Sequence, residues 1–160
     1  MGLKRQTRTA TDKTNLSTSL KLRVPHEARI LIVSDDDSDA ERLKTIFRQA
    51  GFNSELAKSM AVASESAKSG RFQVVVSTPL LADGSWRCLV EVANHHNLAF
   101  VVILFARSFD LRQWGEALMD GAFDVLDALN DLPKAAEVAK SAWKAAELKR
   151  SRPHAKAASC

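Results

Sequence analysis

The chain has 160 residues, 46% of them hydrophobic and 26% charged, which is enough for one domain with a substantial core and too few for two. No apolar run approaches the roughly 20 residues that span a bilayer, and Met1 to Arg8 lack the apolar segment of a secretory signal, so a cytoplasmic protein with no membrane role is expected. Cys88 and Cys160 make neither a disulfide framework nor a metal-ligand pair and read as free thiols.

The formal charge of +4 is unevenly spread. Lys4, Arg5, Arg8, Lys13, Lys21 and Arg23 against Asp12 give residues 1–26 a charge of +5, and Lys149, Arg150, Arg152 and Lys156 give residues 149–160 a charge of +4. The stretch between them therefore carries −5. Both ends have few bulky apolar groups with which to offset the entropy of ordering, so residues 1–27 and 149–160 are expected to be disordered basic tails around a domain at 28–148. Such tails keep a protein soluble or hold nucleic acid weakly and without sequence preference.

In chain order, Ile30 to Val33 are apolar without alternation, as a strand buried on both faces requires, and the run opens onto Asp35, Asp36 and Asp37. Ser38 and Glu41 have capping-box spacing, and Leu43, Ile46, Phe47 and Ala50 fall on one helical stripe that Gly51 ends. A short strand is expected at Ser54 to Ala57, then a helix capped by Ser59 and running to Lys68. Gln73 to Ser77 is a β-branched strand followed by a loop from Thr78 to Gly84. Trp86, Leu89, Val90 and Val92 fit a third helix, and Phe100 to Phe105 a central strand. Leu111 to Met119 is a fourth helix and Phe123 to Leu126 a fifth strand. A last helix begins near Leu132 or Pro133 and runs to about Lys149, with Ala135, Ala139, Ala142, Trp143 and Ala146 inward. Five alternations of strand and helix predict a parallel sheet covered on both faces, with its ligand rim at the carboxyl ends of the strands. That rim carries Ser34 to Asp37, Ser77 to Thr78, Phe105 to Arg107 and Asp127 to Leu129.

Read together, Ile-Leu-Ile-Val-Ser-Asp-Asp-Asp-Ser-Asp at 30–39, Gln-Ala-Gly-Phe at 49–52, Phe-Gln-Val-Val-Val-Ser-Thr at 72–78, Asp-Gly-Ser-Trp at 83–86 and Asp-Gly-Ala-Phe-Asp-Val-Leu at 120–126 resemble a response-regulator receiver domain. The likeness covers about Ala28 to Glu147. It implies the CheY-like, flavodoxin-like α/β fold, a doubly wound five-stranded parallel sheet of order 2-1-3-4-5 with five helices. It also implies a bacterial two-component setting, in which a histidine kinase passes a phosphoryl group to an aspartate beside Mg²⁺. The residues for that chemistry are missing here. By position, the first metal acid is Ser34 and the acceptor is Thr78. The switch hydroxyl is Phe105, the lysine is Ala128 with Leu129 in place of the following proline, and the switch aromatic is Val125. A threonine hydroxyl cannot form an acyl phosphate and brings no charge to a cation. Asp83 is the only acid near Thr78 and is expected to lie too far from Asp35 to replace the acceptor.

The resemblance thus implies a stand-alone pseudo-receiver, not an enzyme, acting as a protein-interaction module in phosphorelay signalling. Asp35 and Asp36 are the remaining metal candidates, with helix capping and solvation as their competing role, and no cofactor is expected. In the family, the face made by the fourth helix, fifth strand and fifth helix forms dimers or docks effectors. Here it would carry Trp114, Val125 and Trp143, for a kinase, an effector or a second copy. Two alternatives stand beside this reading: nucleic-acid association through the tails, and an atypical phosphorylation using a neighbouring group. His95-His96 reads as an exposed turn, and Ser77-Thr78 lacks the context of a nucleotide loop.

Overall fold

The structure is a computed structural model, and it describes residues 28–151. The expected tail at 1–27, and residues 152–160 of the expected tail at 149–160, lie outside the described residues. A parallel sheet is built from β1 (Arg29–Val33), β2 (Asn53–Ala57), β3 (Val74–Ser77), β6 (Val101–Ala106) and β7 (Ala122–Asp127), in the order β2-β1-β3-β6-β7. The labels β4 (Leu80–Leu81) and β5 (Gly84–Ser85) belong to a small antiparallel hairpin, so the main sheet has the expected 2-1-3-4-5 order. Five helices cover it: α1 (Asp37–Gln49), α2 (Met60–Lys68), α3 (Arg87–His95), α4 (Leu111–Met119) and α5 (Ala135–Ser151).

The unbroken apolar runs make the centre of the sheet, since Val74 to Ser77 are all buried and Ile30 to Val33 likewise. Side chains alternate across the pleat into two cores. On one face Ile30, Ile32, Val74, Val76, Ile103 and Phe105 pack under α1 and α5; on the other Leu31, Val33, Val75, Val102 and Leu104 pack under α2, α3 and α4. Helix α5 meets the sheet through Ala135, Ala139, Ala142 and Ala146, a stripe of small side chains that lets its backbone lie close. Between β6 and β7 the register shifts: Val102 pairs with Ala122 but Ile103 pairs with Asp124, so Phe123 has no partner.

Ser59 caps α2 through Val62 N–H, and α4 has the expected bounds with a capping box between Asp110 and Gln113. Other expectations need correction. Helix α1 is capped by Asp36, which accepts from Asp39 N–H at 3.0 Å, and not by a Ser38–Glu41 box. Asp36 to Asp39 offer four adjacent capping side chains, and the bond from Asp36 N–H to Ser34 Oγ (3.0 Å) fixes which one turns the corner. The segment Thr78 to Gly84 is not only loop but contains the β4–β5 hairpin. The last helix opens with a 3₁₀ turn at Leu132–Lys134 and continues to Ser151, so Lys149 and Arg150 are helical and belong to the domain.

Candidate functional site

The carboxyl rim of the sheet brings the expected positions into one row. Thr78 N–H donates to Val33 O (3.0 Å) and Ala128 N–H donates to Ala106 O (2.8 Å), so both ladders continue one residue past the strands. Continuing the register places Ser34, Thr78 and Phe105 level on adjacent strands. Ala128 follows two residues after Leu126, the partner of Phe105, on the same face of the sheet. Ser34, Phe105 and Ala128 are each 2% exposed. Phe105 belongs to the α1–α5 core with Ala40, Ala128 and Ala135 around it, so its ring is core and does not point into solvent. Thr78 Oγ1 is buried with no hydrogen-bond partner among the described residues.

The three consecutive acids after β1 diverge. Asp35 is exposed, Asp36 caps α1, and Asp37 pairs with Lys58 at 2.9 Å, which holds that ammonium above its ordinary pKa. Asp83 does not approach the row either. From the turn of the β4–β5 hairpin its two carboxylate oxygens accept from Met60 N–H (2.8 Å) and Ala61 N–H (3.0 Å) at the start of α2. Those backbone donors hold its carboxyl below the usual carboxylate range.

Divalent-cation chemistry, which the fold suggests, is not matched by these donors. The first acid position is a serine accepting from backbone, the acceptor position is a hydroxyl, and Asp36 is committed to a helix end and a guanidinium. Among the described residues no three His, Cys, Asp or Glu side chains are grouped to hold a metal.

Sequence reasoning missed the ion cluster at this corner. Asp39, 5% exposed, accepts from Arg42 at 2.6 Å and from Arg107 at 2.9 Å, and Arg107 also lies 3.9 Å from Asp36. Arg107 follows β6 and lies 68 residues from Asp39 in sequence, so this contact ties the β6–α4 loop to the start of α1. The only sequence signal was the i,i+3 spacing of Asp39 and Arg42, together with a cation on the rim.

Of the three expected interaction residues, the structure brings two together. Trp114 and Val125 line a cleft of about 220 Å³ with Phe109 and Leu111, and Asp110, Asp127 and Asp131 complete its lining. Asp127 is held below the usual carboxylate range by Leu129 N–H and the Asn130 side chain. Trp143 is half-buried against the α1–α5 core, away from this cleft, and Trp86 is fully buried on the α3 side. Helix α4 buries only Ala117, whereas Leu111, Trp114, Leu118 and Met119 are all exposed. His95 and His96 are exposed at the end of α3 with their rings edge to face, 4.9 Å between centroids.

No protein-family model matches the chain, and no curated protein matches it. Solved structures do. The receiver domain of the Francisella response regulator 1452 superposes with a TM-score of 0.67 at 19% identity, covering 73% of this chain and 97% of that one. A signal receiver domain of an HD domain-containing protein from Pseudomonas fluorescens Pf-5 gives 0.70 at 18% identity, over 81% and 96%. A beryllofluoride-activated NtrC4 receiver domain dimer gives 0.57 at 23% identity, over 68% and 96%. The chain therefore has the CheY-like fold of response-regulator receiver domains, as its sequence motifs lead one to expect. Among the described residues no helix is long and apolar enough to cross a membrane.

Proposed function

We propose that this chain is a receiver-fold module of two-component signalling that works by protein contact and takes no phosphoryl group. One observation carries the reading: the row Ser34, Thr78, Phe105 and Ala128 offers neither carboxylate nor ammonium, and Phe105 fills the level where an acceptor would need free space. Transfer requires an oxygen nucleophile that forms a labile acyl phosphate and a cation that neutralises the transferring oxygens. Of the acids at this rim Asp35 is exposed, Asp36 and Asp39 are held by Arg107, and Asp83 is held by the start of α2. With no differential binding of a phosphoryl group, nothing in this hollow shifts a two-state equilibrium. The Arg107 contact holds the β6–α4 loop on α1 in its place.

The contact surface of this reading is the α4–β7 face, where the exposed Leu111, Trp114, Leu118 and Met119 form an apolar patch open to a kinase, an effector or a second copy. Incubation of the full chain with a small phosphodonor and Mg²⁺, followed by intact mass, tests the proposal. The expected outcome is no mass gain. A single phosphoryl adduct that hydroxylamine removes overturns it.

A further inference from the structure

The cleft beside α4 has a composition that selects its occupant. Its lining includes Phe109, Leu111, Trp114 and Val125, apolar and partly aromatic, while the three ionisable residues in it, Asp110, Asp127 and Asp131, are all acids. Lys134 lies 3.6 Å from Asp131, the one ion pair of the three among the described residues. An arginine or lysine side chain fits such a site twice over, its charge against the carboxylates and its stem or guanidinium plane against the indole.

The chain carries basic segments of its own, and reach decides among them. The cleft lies at the carboxyl end of β7, whereas Ala28 leads into the opposite end of β1, three strands away. Three strand spacings, one strand length and the helix layer to be rounded amount to roughly 35 Å or more. Arg23 stands five residues before Ala28, within a reach of about 18 Å, so Lys21 and Arg23 fall short. Arg152 and Lys156 fail for a similar reason: they follow an α5 of 17 residues that runs about 25 Å away from the cleft, and they lie within five residues of its end. Arg8 stands 20 residues before Ala28 and Lys13 stands 15, spans of up to about 66 and 50 Å, so both reach, but Lys13 is a single cation beside Asp12 whereas Lys4, Arg5 and Arg8 form a cluster.

We propose that the α4–β7 cleft is the docking site for the chain's own Lys4–Arg5–Arg8 cluster. This rests on the reading of the α4–β7 face as the contact surface. The net charges are opposite, +5 on residues 1–26 against −5 on the stretch up to Leu148. Tethering raises the effective concentration to the millimolar range, so a weak contact is populated.

Nitrogen–proton correlation spectra of the full chain test this. In the triple variant Lys4→Gln/Arg5→Gln/Arg8→Gln, the amides of Leu111, Val125 and Asp127 and the Trp114 indole are expected to shift, by amounts independent of protein concentration. In Lys21→Gln/Arg23→Gln they are expected to stay in place. Unmoved resonances in the triple variant, or equal shifts in both variants, overturn the docking. Shifts at this patch that grow with protein concentration also overturn it, assign the face to a second copy, and leave its role as a contact surface standing. None of these results bears on phosphoryl transfer, which the mass measurement addresses separately.

Discussion

Two regions of the carboxyl rim meet solvent in opposite ways. On the α1–α5 side, Ser34, Phe105 and Ala128 are sealed into the core, and the buried acid at this corner, Asp39, is closed over by two arginines. A few residues further round, α4 buries one side chain and leaves Leu118 at 41% and Met119 at 87% exposure. The hollow has been filled where a ligand would sit, and apolar surface remains uncovered where a macromolecule can touch. Changes in the first region should therefore register in stability, and changes in the second in binding.

The largest expected effect is at Phe105. Truncation to Ala removes a ring from the α1–α5 core and should cost about 3–5 kcal/mol, lowering Tm by roughly 10–20 °C in a thermal melt. A loss under about 1 kcal/mol would mean the hollow can empty cheaply and would erase the contrast with α4. An intermediate effect is expected for Arg107→Ala. Asp39 keeps Arg42, so the cost should be about 1–2 kcal/mol, and a double-mutant cycle with Asp39→Asn should return most of it as coupling between the two residues. Additive single effects would show that the loop is held by other contacts. The smallest effect belongs to α4: Leu118→Ser, at a solvent-facing position, should change stability by no more than about 0.5 kcal/mol in denaturant unfolding. A larger loss would place Leu118 in the core and take it out of the contact patch.

The same contrast separates what the sequence made legible from what it did not. Ser59 and its helix, and the bounds of α4, could be read because each rests on local signals, a capping side chain followed by apolar spacing. The row Ser34, Thr78, Phe105 and Ala128 was also legible, since in a parallel sheet strand ends fall at one rim whatever residues they carry. The start of α1 was ambiguous because adjacent aspartates and a serine compete as caps, and a hydrogen bond from Ser34 decides. The β4–β5 hairpin has two residues per strand, too short for any periodicity, and Asp83 at its turn finds partners 22 and 23 residues earlier. Trp114 and Trp143 looked equivalent as apolar positions on two helices, yet one lines a cleft and the other packs on the core. No local pattern encodes Arg107 meeting Asp39, because that distance is set only once β6 and α1 are assembled.

The unpaired Phe123 has a consequence for how this hollow tolerates change. Side chains on a strand alternate, and the ladder pairs one to one on either side of Phe123, so the offset takes up one residue and leaves the sets beyond it in step with β6. With Phe123 present, Leu126 and Ala128 turn toward Phe105, and Val125 turns toward Trp114. Deleting that single residue would set Ala122 and Asp124 next to each other opposite Val102 and Ile103, so both sets should keep their faces, whereas deleting Val125, inside the regular ladder, would bring the Asp127 carboxylate opposite Phe105 in the sealed interior. The emptiness of one region and the stickiness of the other are in this sense a matter of counting: a length change of one residue within Asp124–Asp127 would disturb both, while the offset at Phe123 can close without moving either.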